Sequence, residues 1–317
     1  MRLLRRIGLL GLALVLCAFA PWTAQLGKDN PLVGRIYSDS GFIGGDVLNQ
    51  KLATARFVVL GETHDNPDHH RLQAQFLAEM VKAGRTPAVV LEMLPRSAQE
   101  KIDAYLSSTD ASAEGFGEAL AWEKRGWPAW TMYQPILEVA IGAKLRVFAG
   151  NLDRDTMRTL ARQGTEALDD AKSWGLETPL PEAQRKILDQ ELIEGHCNML
   201  PEAAIPAMRM VQRARDASMA DIMMSAAKST DGAVLIAGAG HARGDFGVPY
   251  YLRQRGAERI LSVSMMPVLD EESDAKTYFD ARGGDENTIY VFTPRIDDKD
   301  HCAELREQMK SKKKKDG

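Results

Sequence analysis

Four short apolar runs in this chain each stop at residues that carry chemistry. Phe57-Val-Val-Leu60 ends at Gly61 and runs into Glu62 and His64, inside the stretch from Arg56 to His70. Ala88-Val-Val-Leu91 runs into Glu92, Leu145-Arg-Val-Phe148 into Asn151 and Asp153, and Ala233-Val-Leu-Ile236 into Gly238 and His241. Runs of this length, bounded by Gly and Pro, read as buried strands. A carboxylate or imidazole beside a buried strand loses its hydration unless the strand ends there. Glu62, His64, Glu92, Asp153 and His241 are therefore expected at one edge of one sheet, where open α/β sheets bind their ligands. Two of the ends share a Gly-x-x-His spacing, and Gly61 and Gly238 are predicted to permit a tight turn after the strand.

Helical signals fill the gaps. One helix is expected from Pro67 to about Gly84, with Leu72, Phe76 and Met80 on one face. Another should cover Ser97 to Leu106, with Ser97 as N-cap and Glu100 completing a capping box. Glu114 to Arg125 and Pro135 to Ala143 follow. Residues 153–229 have a helical pattern broken by glycines and prolines and no strand pattern, which predicts an inserted helical lid. Strands resume at 233–237, 259–265 and 288–293, with a helix starting near Pro249. The alternation predicts an α/β fold: a mostly parallel sheet flanked by helices, carrying an inserted helical subdomain, in one domain over about 31–300.

At 317 residues the chain is long enough for such a core. Setting aside Arg2, Arg5, Arg6 and everything from Lys310 onward leaves 32 basic against 43 acidic residues. That balance argues against nucleic acid, which leaves a basic footprint on its partners. The three N-terminal arginines precede an apolar run from Ile7 to Ala20, the pattern of an export signal or of an uncut N-terminal anchor. Ala18-Phe19-Ala20 fits a small-x-small cleavage site, and Leu14-Val15-Leu16-Cys17 loosely fits a lipoprotein signal. The expected location is the cell envelope, periplasmic or membrane-anchored, touching membrane only through this segment. Residues 310–317 read as a disordered Lys-rich tail. Cys302 sits in the polar approach to that tail, so Cys197 and Cys302 are expected to remain free thiols.

Glu62, His64, Glu92 and His241 suit a divalent metal, with Glu62 or Glu92 activating water in a metal-dependent hydrolase. The plainer alternative is that they only hydrogen-bond the strand-end loops, as in a non-catalytic envelope interaction module. His69 and His70 open a helix and are either solvated or ligating. Gln212, Arg215, Asp216 and Met219 share one side of a helix, either salt-bridged or ligand-facing. His196-Cys197 pairs two metal-binding residue types, too few for a closed zinc site. Trp127 and Trp130 read as core. Tyr133 either packs beside them or offers a phenolate to ferric iron.

Taken together, Val58 to His70, Leu91-Glu-Met-Leu94, Trp127-Pro-x-Trp-x-x-Tyr-x-Pro-Ile136, Gly195-His-Cys-x-Met-Leu-Pro201, Gln212-x-x-Arg215-Asp-x-x-Met-Ala220 and Gly238-x-Gly-His241 resemble the ChaN-like haem-binding uptake family of the Tiki superfamily. The resemblance spans about residues 33–265. It implies a parallel-sheet core with a helical subdomain, and haem bound as cofacial pairs between two protomers of a homodimer. It also implies a tyrosine as axial ligand, and a role in envelope haem and iron uptake alongside transport components. Tyr133 is the first candidate for that ligand, then Tyr250 and Tyr251, which follow the His241 loop; His196 and Arg215 are further haem contacts. Related Tiki proteins use a metal-dependent protease site, which would correspond here to Gly61, Glu62, His64, Glu92, Gly238 and His241.

Overall fold

The computed structural model describes residues 21–300, 302, 303 and 305–307. The expected export segment 1–20 and the tail 310–317 lie outside the described residues. The strands are β1 Ile36–Ser38, β2 Gly41–Ile43, β3 Phe57–Glu62, β4 Ala88–Pro95, β5 Val147–Asn151, β6 Ala233–Gly238, β7 Ile260–Pro267 and β8 Thr288–Thr293. They form one sheet in the order β2-β1-β8-β7-β3-β6-β4-β5. From β8 to β5 the pairing is parallel; β1 and β2 add an antiparallel edge. That edge is absent from the sequence reading, because three-residue strands are too short to show a period.

Within the central strands, alternate residues serve opposite layers. Val58 and Leu60 of β3 join a core formed with α1 (Gly45–Thr54), α2 (Pro67–Lys82) and α5 (Trp130–Gly142). Phe57 and Val59 join the other, formed with α8 (Ile205–Ala226) and α9 (Val248–Gln254). Each large aliphatic side chain buried this way contributes roughly 1.5–3 kcal/mol, which holds both layers to the sheet.

Two helix starts differ from expectation. Ser97 lies in a 3-10 turn, Arg96–Ala98, and α3 (Gln99–Leu106) begins after it without a side-chain cap. The Ser97 hydroxyl instead donates to the Asp153 carboxylate, a partner more than fifty residues away, so no capping box forms. α5 starts at Trp130 with Pro135 inside it. Pro135 forfeits one helical hydrogen bond, and the burial of Trp130, Tyr133, Ile136 and Leu137 along the helix outweighs that loss.

Residues 153–229 contain α6 (Arg154–Gln163), α7 (Glu182–Gly195) and α8, and no strand. α8 is itself a layer of the sheet, burying Ala214, Ala217, Met219, Ala220 and Met223 against it. The two cysteines are also not as expected. Cys197 and Cys302 form a disulfide with Cα atoms 5.3 Å apart. The polar segment after β8 returns to the end of α7, a long-range approach that local polarity does not reveal.

The connection from β3 runs through α2 to β4, and that from β6 through α9 to β7, on opposite faces of the sheet. β3 and β6 are neighbours, so the crevice beyond their carboxyl ends is a topological switch point, the usual ligand position in such folds.

Candidate functional site

β3 and β6 pair in register with Glu62 opposite Gly238, which levels the two strand ends. Glu62 and Glu92 are each 1% exposed and His241 5%. His64 Nδ1 lies 2.5 Å from Glu62 Oε1, and its ring packs edge-on against Trp127 at 4.8 Å between centroids. Glu92 Oε2 accepts the Gly238 N–H at 2.7 Å, while Oε1 takes Arg215 Nη2 at 2.5 Å and His241 Nε2 at 3.1 Å. On the far side of the ring, His241 Nδ1 is 2.5 Å from Asp216 Oδ1. The structure therefore brings Glu62, His64, Glu92 and His241 together and adds Arg215 and Asp216 from α8.

The charges follow from this geometry. Burial would lower the His241 pKa, but Glu92 and Asp216 reverse that and raise it to about 9, so the ring is an imidazolium at neutral pH. Burial would raise Glu92, yet His241 and Arg215 hold it well below the usual carboxylate range. Burial raises Asp216, with His241 pulling it back. For His64, burial pushes downward and the Glu62 hydrogen bond and charge prevail upward. Glu62 and His64 form one hydrogen-bonded pair at the strand end, and Glu92, His241 and Asp216 form a second, fully buried chain beside it.

His69 and His70 are fully buried and structural. His69 Nδ1 accepts the Thr63 N–H at 2.8 Å, which leaves Nε2–H to donate to Thr293 Oγ1 at 2.8 Å. Burial lowers the His69 pKa to about 3, so the ring stays neutral. His70 Nε2 donates to the His64 carbonyl at 2.9 Å and its ring packs on Tyr133 at 4.0 Å. Both histidines brace the β3–α2 loop. Gly61 and Gly238 also serve differently from the turn role expected of them, since neither has a positive φ. A Cβ on Gly61 would stand 2.6 Å from Ala242 Cβ, and one on Gly238 3.0 Å from His64 Nε2. Close packing requires these glycines.

Tyr133 and Tyr251 are enclosed in the core. Tyr133 is 1% exposed; burial, then the charge of the adjacent Glu62, raises its pKa, which disfavours a phenolate. It belongs to the strand-end cluster, beside Glu62. The Tyr251 hydroxyl accepts from Arg213 Nε at 2.9 Å in the core, and burial raises its pKa. Tyr250 is half-buried, its ring edge-on to Tyr251 at 5.1 Å.

Beside the cluster opens a cleft of about 670 Å³. Arg215 belongs to both, as does Gln212, whose Nε2 lies 3.2 Å from His241 Nδ1, and Trp127 links them through its contact with His64. Met93, Met157, Leu192, Met208 and Val211 supply apolar wall. Lys124, Arg125, Arg154 and Arg215 supply positive charge, with Asp153 and Asp155 opposing it at one side. His196 also lines this cleft, whereas Tyr133, Tyr250 and Tyr251 do not. The pairing of Asp216 with His241 and the cations Lys124, Arg125 and Arg154 are the parts that the sequence did not reveal. A carboxylate set among the small residues Ala214, Ala217 and Ala220 was the available signal, since such a helix face is normally buried.

In the strand-end set, His241 and Glu92 are already engaged by protein groups. Both nitrogens of His241 face carboxylates, and Glu92 already accepts from three groups. Among the described residues no group of three or more His, Cys, Asp or Glu is arranged to hold a metal.

Residues 48–252 match the family model described as haem-binding uptake, Tiki superfamily, ChaN. The chain belongs to that family. Among solved structures it is similar to ChaN of Campylobacter jejuni, described for cofacial haem binding, at 19% identity and a TM-score of 0.63, covering 80% of this chain and 95% of that one. The type III effector HopBA1 follows at 15% identity and a TM-score of 0.45, covering 84% and 99%. A mutant of the erythromycin esterase EreC in its open conformation has 15% identity and a TM-score of 0.40, covering 70% and 72%. No curated protein matches the sequence. At these identities the ChaN-family likeness in three dimensions establishes the shared α/β fold. Among the described residues, no helix is long and apolar enough to cross a membrane.

Proposed function

We propose that this ChaN-family chain binds haem in the cleft beside the strand ends, as cargo in envelope haem uptake. The lining of the cleft carries the reading. A porphyrin needs its apolar disc dehydrated and its two propionates met by cations. The cleft provides thioether and aliphatic wall together with Lys124, Arg125, Arg154 and Arg215, at a volume within the roughly 300–1,000 Å³ typical of small-molecule sites. Burial and then the neighbouring Arg154 charge lower the Arg125 pKa, so an anion placed beside these two guanidiniums would relieve their repulsion. The family description supports uptake as the purpose. The cofacial binding described for the Campylobacter jejuni protein supports a homodimer assembled around haem, which would pass its cargo to envelope transport components.

Titration of the purified chain with ferric haem, followed by absorbance and sedimentation, tests this. Saturable binding with a shifted Soret band is expected, and a dimer at saturation. Lys124→Glu combined with Arg154→Glu should weaken binding about tenfold, the loss of two charge-assisted contacts. An unshifted Soret band at all ratios would remove the haem reading, and a monomer at saturation would remove the dimer.

A further inference from the structure

We propose that the Cys197–Cys302 disulfide is a redox-operated latch on the cleft. Oxidised, it holds α7 in place as one wall; reduced by a dithiol, it lets that wall move away and the bound ligand leave. The proposal rests on the ligand reading of the cleft given above and names how that same site is regulated.

The cleft has walls of unequal firmness. Met208, Val211, Gln212 and Arg215 come from α8, which is a layer of the sheet, and Met93 and Asn151 from β4 and β5. Leu192 comes from α7 and His196 from its C-terminal cap. Leu188 is the only buried residue of α7. It packs with Leu180 and Phe246 in a small cluster apart from the two cores that flank the central strands. A helix in a protein owes most of its stability to such packing, and α7 has little of it. Its polar ties are Asp189 to Arg209 of α8 at 2.8 Å, and Glu191 to Arg243 at 2.8 Å and to Arg282 at 3.4 Å. Each pair reaches solvent on at least one side, where ion pairs are weak restraints.

The disulfide supplies the firmer hold. Cys197 follows the α7 cap directly, and the bond brings its Cα to 5.3 Å from that of Cys302, 105 positions on. The segment carrying Cys302 follows β8, an interior strand paired with β1 and β7. The bond therefore moors α7 to the sheet from the side opposite its junction with α8. Cys197 and Asn198 also have left-handed backbones, with φ of 58° and 57°. Residues other than glycine keep such conformations where their surroundings impose them. Opening the bond frees this turn to relax and α7 to lift with it.

The bond is approachable from one side. Cys197 is 8% exposed and Cys302 is half-buried, so the attack falls on Cys302. A thiolate of the dithiol attacks Cys302 Sγ, the protein S–S bond breaks, and Cys197 leaves as a thiolate. The second thiol of the reductant then displaces Cys302 Sγ from the mixed disulfide and closes the reductant's own S–S bond. Two electrons pass from the dithiol to the protein, and its two protons end on the two cysteines.

Hydrogen exchange of the full chain without haem, oxidised and after dithiothreitol, tests the latch, with thiol labelling at Cys197 and Cys302 confirming that the bond has opened. Residues 182–196 should exchange about tenfold faster in the reduced protein while β3 and β6 stay protected. Reoxidation should restore slow exchange. The combined variant Cys197→Ser and Cys302→Ser should match the reduced protein without any reductant. Ferric haem is then loaded onto wild type and onto this variant, with no thiol present, and its transfer to a haem-free globin is timed. Release should be about tenfold faster from the variant. Unchanged exchange in α7 with both thiols labelled, equal loss of protection in α7 and β3, or equal rates of haem release would overturn the latch and leave haem binding standing. No haem binding by wild type, with α7 freed on reduction, would remove the haem reading and leave the release of α7 standing.

Discussion

A methyl group added at Gly61 and one added at Gly238 would meet different kinds of neighbour. At Gly61 the new Cβ would lie 2.6 Å from Ala242 Cβ, 2.8 Å from Ser264 Oγ and 3.1 Å from Ala239 Cα, all held by the packed β6 and β7 strand ends. Nothing there is the end of a flexible side chain, so Gly61→Ala should cost about 1–3 kcal/mol, the usual penalty of overpacking. At Gly238 the contacts are His64 Nε2 at 3.0 Å and Cε1 at 3.1 Å. The His64 side chain is 36% exposed and can swing outward. Gly238→Ala should therefore cost less than about 1 kcal/mol while displacing His64 from Glu62 and Trp127. Urea denaturation checks the order: a smaller loss for Gly61→Ala than for Gly238→Ala would contradict the packing account.

Between elements, a buried polar tie joins α8 to the loop after β6 through Asp216 and His241. Its pH dependence has a definite sign. His241 titrates near 6.5 when unfolded and at about 9 in the fold, where Glu92 and Asp216 overcome the effect of burial. The folded state binds this proton more tightly, so the stabilisation is fully present below pH about 6.5 and is lost as pH rises through about 9. Its size is on the order of 3 kcal/mol. His64, also raised, contributes with the same sign, so the informative quantity is a difference. Wild type should lose stability between pH 6.5 and 9.5 more steeply than His241→Gln does. Equal slopes in chemical denaturation would show that the carboxylates do not hold the ring charged.

For the molecule as a whole, the Cys197–Cys302 disulfide links the end of α7 to the segment beyond β8, closing a sequence separation of 105. A cross-link of that span restrains the unfolded chain by about 4–5 kcal/mol in the loop-entropy picture. Cys302→Ser should lower the unfolding free energy by about 4 kcal/mol, and a reductant should reproduce that loss in wild type without affecting the variant. A melting temperature indifferent to both changes would mean that the bond restrains nothing the fold does not already hold.

Much of the architecture was legible in the chain because its signals are local. The runs at 57–60, 88–91 and 233–236 are short, apolar and bounded, so their length identifies strands; Glu62 closes β3 and His241 lies beyond β6, while Glu92 falls inside β4, just past the residues that pair with β6. The motif set carried the family by the same local means. What depends on segments meeting across the fold was not legible. Asp216 reaches His241 from another element, and Ser97 leaves its helix start for Asp153. Cys302 returns to Cys197 from a stretch whose polarity suggested free solvent. Tyr133 reads as an available phenol in sequence and is enclosed beside Glu62 in three dimensions. Periodicity encodes which face of an element is buried, but pairings between distant side chains follow from how α7, α8 and the sheet pack. Tertiary structure alone decided which side chains meet at the cleft: His196 lines it, while Tyr133, Tyr250 and Tyr251 do not.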